Sequence, residues 1–163
     1  MSGGQALQTL MVIWGVPGSG KSTFARWLVN SHGYLHAETD AGADVNHALV
    51  LARRGYKVVI EWGAWARQDA IDFVSGWAAE GAQAFWFNGD RDAAFKAWRH
   101  ENVKSHRPYP DQLWHDVVGE IDRNWSLLQD LFGSDRMLRT VLGGPVHVPP
   151  EETYAKMEQI LST

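Results

Sequence analysis

The chain switches repeatedly between continuous apolar runs and apolar positions at helical spacing. Leu10 to Trp14 is an unbroken apolar run ending at Gly15, which reads as a buried strand. Lys21 to Asn30 then carries Phe24, Trp27 and Leu28 at helical period. Tyr34 to Ala37 is a second short strand, leading into Glu38, Thr39 and Asp40, and a helix from about Ala43 to Arg54 stops at Gly55. Lys57 to Glu61 is the third strand. Ile71, Val74, Trp77 and Ala78 mark a helix from about Arg67 to Glu80, and Ala82 to Phe87 is the fourth strand. Asp92 to about Asn102 reads as helical with Phe95 and Trp98 inward, after which KSHRPYP, with its two prolines, breaks the pattern. Leu113, Val117, Val118, Ile121, Trp125 and Leu128 predict a single long helix from Asp111 to Leu131. A weak fifth strand at Val146 to Val148 and a helix from Pro150 to Leu161 close the chain. Apolar strands alternating with helices predict an α/β fold whose parallel sheet is covered on both faces.

Composition narrows the class. With 163 residues, 45% hydrophobic and 21% charged, the chain supports one domain. MSGGQALQT has no secretory pattern and no window approaches the roughly 20 apolar residues of a membrane span, so cytoplasmic residence is expected. Without cysteine, a metal must be held by oxygen or imidazole, and oxygen points to magnesium. The net charge of -4 argues against a protein that coats nucleic acid through phosphate contacts alone. Nine tryptophans serve either burial or the stacking of flat ligands, and composition does not choose.

The chemistry starts at Gly15-Val16-Pro17-Gly18-Ser19-Gly20-Lys21-Ser22, which satisfies G-x4-G-K-[ST] between a strand and a helix. Glycines let backbone N–H groups turn inward around a phosphate, and the helix start adds its positive end. Lys21 is placed to reach terminal phosphates, Ser22 to bind magnesium, and Thr23 follows on the same turn. ATP with Mg2+ is the expected ligand pair. No Asn-Lys-x-Asp guanine reader accompanies the loop, and the chain is too short for a mechanical domain.

Phosphoryl transfer needs a metal carboxylate, a proton acceptor and cations over the moving group. Glu61, at the carboxyl end of its strand, is the candidate metal-side acid. Asp40 is the candidate general base, with Glu38 and Asp44 as rivals and helix capping as its alternative role. Asp90, in NGDRD, reads as a turn and cap. Arg99, Lys104 and Arg107 flank the proline-bearing segment, which is expected to act as a lid, with Arg107 preferred. His100 and His106 read as lid surface. Arg67, a cation at a helix start, favours an anionic ligand nearby. Trp62 and Trp65, on either side of Gly63-Ala64, either pack the loop or stack an acceptor.

With these parts placed, the chain resembles the small P-loop kinases grouped as zeta-toxin-like or AAA-type predicted kinases, a set that includes gluconate kinase, shikimate kinase and the kinase part of polynucleotide kinases. GVPGSGKST, VVIEWGAWARQDAIDFVSGWAAEGAQAFWF and VPPEETY carry the likeness. The resemblance implies a three-layer P-loop NTPase with a mostly parallel five-stranded sheet in the order 2-3-1-4-5 and a small helical lid over about 99–115. It also implies that Asp40 faces the acceptor and that Arg99 or Arg107 is the lid arginine. Two places depart from the pattern: Ala41, Gly42 and Ala43 follow Asp40 where relatives carry an arginine, and WRHEN stands where relatives carry an arginine–asparagine pair. The expected activity is transfer of the terminal phosphate of ATP to a hydroxyl of a nucleoside, nucleotide or sugar-like molecule. A polynucleotide end or modified DNA base as acceptor, and a nucleotide-dependent binding module, are the alternatives.

Overall fold

Strand β1 (Leu10–Gly15) is buried along its whole length, and its alternate side chains feed two separate cores. The computed structural model describes residues 6–39, 44–63, 65–142 and 147–163. Leu10, Val12 and Trp14 join a cluster with Val58, Ile60 and Trp86, while Met11 and Ile13 join another with Val59, Phe85 and Phe87. Period-two alternation on a strand covered from both sides produces this split, so the apolar run lacks a polar face.

The sheet is parallel and its order is β2-β3-β1-β4-β5, with β2 at Leu35–Glu38, β3 at Val58–Glu61, β4 at Gln83–Gly89 and β5 at Met137–Val141. Helices α1 (Lys21–His32) and α7 (Pro150–Leu161) cover one face through Phe24, Leu28 and Met157. On the other face lie α2 (Val45–Arg53), α3 (Gln68–Ala79), α5 (Asp111–Arg123) and α6 (Trp125–Phe132), through Leu49, Val74, Ile121 and Leu128. The α4 helix (Arg91–Asn102) adds Ala93 and Ala94 to that second core. The architecture is the expected three-layer α/β fold.

Strand order reverses at β1, between β3 and β4, which makes the carboxyl end of β1 the switch point where such sheets bind ligands. Gly15 lies there, paired with Phe87 of β4, and Ile13 pairs with Glu61 of β3. No helix among the described residues is long and apolar enough to cross a membrane.

Two expected elements are corrected. The fifth strand is Met137–Val141, not 146–148; His147 makes only an antiparallel bridge to Val141, and Val146 lies outside the described residues. Arg139, exposed on this edge strand, interrupts the apolar pattern that would have announced it. The single helix expected from Asp111 to Leu131 is two helices broken at Asn124, whose side-chain amide donates to the Ala66 carbonyl at 2.7 Å. An interruption of one residue leaves Ile121, Trp125 and Leu128 in helical phase, so periodicity passes over it.

Candidate active site

The turn after β1 is held from outside by three side chains from separate parts of the chain. Trp114 Nε1 of α5 donates to the Pro17 carbonyl at 2.9 Å, His147 Nε2 lies 2.8 Å from the Gly18 carbonyl oxygen, and Thr140 Oγ1 of β5 donates to the Ser19 carbonyl at 2.7 Å. In a trans peptide the next N–H points opposite to the carbonyl. Tying these carbonyls outward therefore turns the N–H groups of Gly18 and Gly20 away from the clamps. The Ser19 N–H closes an internal turn onto Val16.

Glycine is required by two features of this loop. Gly18 has φ +87°, and a Cβ there would sit 2.0 Å from the Ala94 carbonyl of α4. Gly20 has φ +93° at the α1 N-cap, where a Cβ would meet the His147 ring at 3.1 Å. Both lie in the left-handed region that side chains rarely adopt.

Lys21 opens α1 and is buried, its ammonium donating to the carbonyls of Gly15 and Val16 at 3.3 and 3.2 Å. Ser22 follows, half-buried, with Thr23 exposed beside it. The Ser22 hydroxyl donates to Glu61 Oε2 at 2.5 Å, and His36 Nε2 lies 2.9 Å from the other carboxylate oxygen. Glu61 is only 5% exposed, so its charge depends on these partners for solvation. Thr39 Oγ1 donates to the Glu61 carbonyl and accepts from the Gly63 N–H, which fixes the tips of β2 and β3 together.

The arrangement fits a nucleotide triphosphate with a divalent ion. Glycine-lined backbone, a lysine, a helix start and the buried Ser19 hydroxyl, which has no hydrogen-bond partner among the described residues, make a donor-rich cradle for phosphate. His36, Glu38 and Glu61, with the Ser22 hydroxyl against Glu61, supply the oxygen and nitrogen atoms a divalent ion takes.

The comparisons agree with this architecture. No family model and no curated protein matches the sequence. Among solved structures, a gluconokinase from Sinorhizobium meliloti 1021 is similar with a TM-score of 0.57 at 18% identity, over 96% of this chain and 93% of its own. A shikimate kinase from Bacteroides thetaiotaomicron gives 0.57 at 13% identity, over 94% and 98% of the two chains. A shikimate kinase from Acinetobacter baumannii, in complex with shikimate, gives 0.56 at 15% identity over 96% of each. The fold is that of the small P-loop kinases.

Within that fold the remaining expected residues fall into three groups. Asp40 lies outside the described residues. Its rival Asp44 caps α2 by accepting from the His47 N–H, and Asp90 caps α4 by accepting from the Ala93 N–H, as its sequence context predicts. Trp62 is half-buried, its ring 5.9 Å from that of Trp14 and 5.4 Å from that of Trp77; Trp65 is half-buried under the Arg67 guanidinium at 5.4 Å. None of the nine tryptophans is exposed.

Arg99, in the last turn of α4, and Arg107, on the connection between α4 and α5, are both exposed. Arg99 pairs with Asp111 at 3.5 Å, and Asn102 closes the loop by exchanging two hydrogen bonds with the Tyr109 backbone. Lys104 pairs with Glu101, and His100 and His106 are exposed. The base of this connection touches the phosphate loop directly, through Ala94 and Trp98 at Gly18 and through Trp114 at Pro17.

Sequence reasoning passed over His36, Thr39, Trp114, Thr140 and His147. For His36 a signal existed, since it stands two residues before Glu38 on a strand and so shares its face. For the three clamps none did, because their partners are carbonyls brought near only by the fold.

Proposed function

We propose that the chain is an ATP-dependent phosphotransferase that moves the terminal phosphate of ATP to a hydroxyl of a small molecule, a nucleoside, nucleotide or sugar-like acceptor. The phosphate loop carries this reading: Gly15, Pro17, Gly18, Ser19, Gly20, Lys21, Ser22 and Thr23 stand at the switch point with the loop carbonyls tied outward. Kinship with the zeta-toxin-like and AAA-type predicted kinases belongs to the same proposal.

In this reading backbone N–H groups and Lys21 hold the phosphates, and Ser22 and Glu61 hold the metal. Magnesium, when bound, supplies positive charge to the phosphate oxygens. Asp40 accepts the acceptor's proton as its oxygen bonds to the terminal phosphorus and the bond to the leaving ADP breaks. The segment 99–115 acts as a lid carrying Arg107, and Arg99 once released from Asp111, toward the transferring group. Trp62, Trp65 and Arg67 line the acceptor side.

A panel of hydroxyl compounds and oligonucleotides, assayed for ADP release and phosphorylated product, tests the reading with Lys21→Ala beside the wild type. Acceptor-dependent ADP release by the wild type alone is expected. Labelling of oligonucleotides only would move the acceptor to a polynucleotide end. ATP that binds and stays uncleaved with every acceptor would overturn the enzyme reading in favour of a binding module.

A further inference from the structure

Strands β2 and β3 run parallel with Glu38 directly opposite Glu61. Directly opposed residues of a ladder share a face, and His36, two positions before Glu38, shares it too. That face is the one beneath α1, whose Ser22 hydroxyl meets Glu61. One ligand atom from each of His36, Glu38 and Glu61 falls within 4.8 Å of the others, with Glu61 buried and the other two half-buried. A ladder sets these positions, and Thr39 pins the strand tips, so the donors are held by rigid elements.

The donor chemistry is specific. Two carboxylates opposed across a ladder repel one another, which a doubly charged cation between them relieves. Carboxylate and water ligands alone suit magnesium, whereas an imidazole among carboxylates suits manganese, cobalt or zinc. His36 Nε2 stands 2.9 Å from Glu61 Oε1. Neighbouring ligand atoms around an ion held at about 2.1 Å are separated by about 3 Å, so the imidazole exchanges its bond to Glu61 for a bond to metal with little movement.

We infer that His36, Glu38 and Glu61 form a divalent-cation site with one nitrogen and carboxylate oxygen ligands, which takes Mn2+, Co2+ or Zn2+ in the absence of nucleotide. The inference rests on the reading of Glu61 as a metal-side carboxylate and goes beyond it by making His36 a ligand. It does not depend on phosphate transfer.

The test uses the full chain, stripped of metal and free of nucleotide, with Co2+ and Zn2+ followed by equilibrium dialysis and bound cobalt also by its visible absorption. One ion per wild-type chain is expected. His36→Gln keeps a hydrogen-bond donor toward Glu61 and removes the imidazole, so the affinity should fall at least ~tenfold, with an unchanged thermal midpoint. Absence of stoichiometric binding to the wild type, or equal binding by His36→Gln, which would show that the imidazole is not a ligand, overturns the inference. Lys21→Ala separates the two readings: it should abolish transfer in the acceptor assay and still bind cobalt as the wild type does. Loss of the ion site alone leaves the phosphotransferase reading standing.

Discussion

Gly18 and Gly33 show how much a single side chain decides. Both have positive φ, +87° and +69°, but a Cβ at Gly18 would meet the Ala94 carbonyl at 2.0 Å while nothing lies within 4 Å of one at Gly33. Gly33→Ala should therefore cost only the backbone term of about 1 kcal/mol. Gly18→Ala adds a clash with immovable helix backbone and should lose about 2 kcal/mol or more. Urea unfolding of the two variants decides this, and equal losses would contradict it. At Tyr34, burial foremost, with Tyr154 close by, pushes the phenol up to about 12. The unfolded chain gives up this proton near pH 10 and the folded one later, so stability falls as pH rises between about 10 and about 12. Tyr34→Phe should flatten that decline, with Tyr154 keeping its own share, as urea midpoints across the window would show. An equally steep decline in the variant would contradict the assignment.

At the scale of elements, the helix-to-loop contacts matter most. Trp114 anchors α5 to the Pro17 carbonyl, and this bond is buried. Trp114→Phe keeps an aromatic ring and leaves the carbonyl unpaired, a loss of about 1–3 kcal/mol, and Mg·ATP affinity should fall because the Gly18 N–H is no longer held in place. Calorimetric titration checks it; unchanged affinity would mean the loop keeps its shape without the clamp. Elements with a strong period were legible from the chain: Lys21–His32, Gln68–Ala79 and Pro150–Leu161 lie within three residues of their expected bounds. Met137–Val141 was not, because Arg139 breaks its apolar run at an exposed edge, and neither was the break at Asn124, whose side chain bonds to Ala66 in the loop before α3. Phosphate-loop residues were readable because their spacing is local. The clamps Trp114, Thr140 and His147 were not, since each contact spans about a hundred residues of sequence or more.

For the molecule as a whole, strand order converts scattered residues into one edge. Gly15 ends the central β1, Glu61 ends its neighbour β3, and Glu38 ends β2 beyond it, so the loop and both acids share the carboxyl side of the sheet. The helices α4 and α5, which flank the Arg107 segment, rest on the same loop through Ala94 and Trp114. An assembly that concentrates backbone donors, a lysine and carboxylates around one turn is suited to a phosphate with its cation and poorly suited to an apolar ligand. The direct measurement of that claim is calorimetric titration of ATP with magnesium into the wild type and into Lys21→Met, which keeps the length of the side chain and removes its charge. The account predicts saturable binding of one nucleotide by the wild type and at least ~tenfold weaker binding by the variant, a loss of 1.4 kcal/mol or more. Equal affinity in the two proteins, or no binding by either, would contradict it.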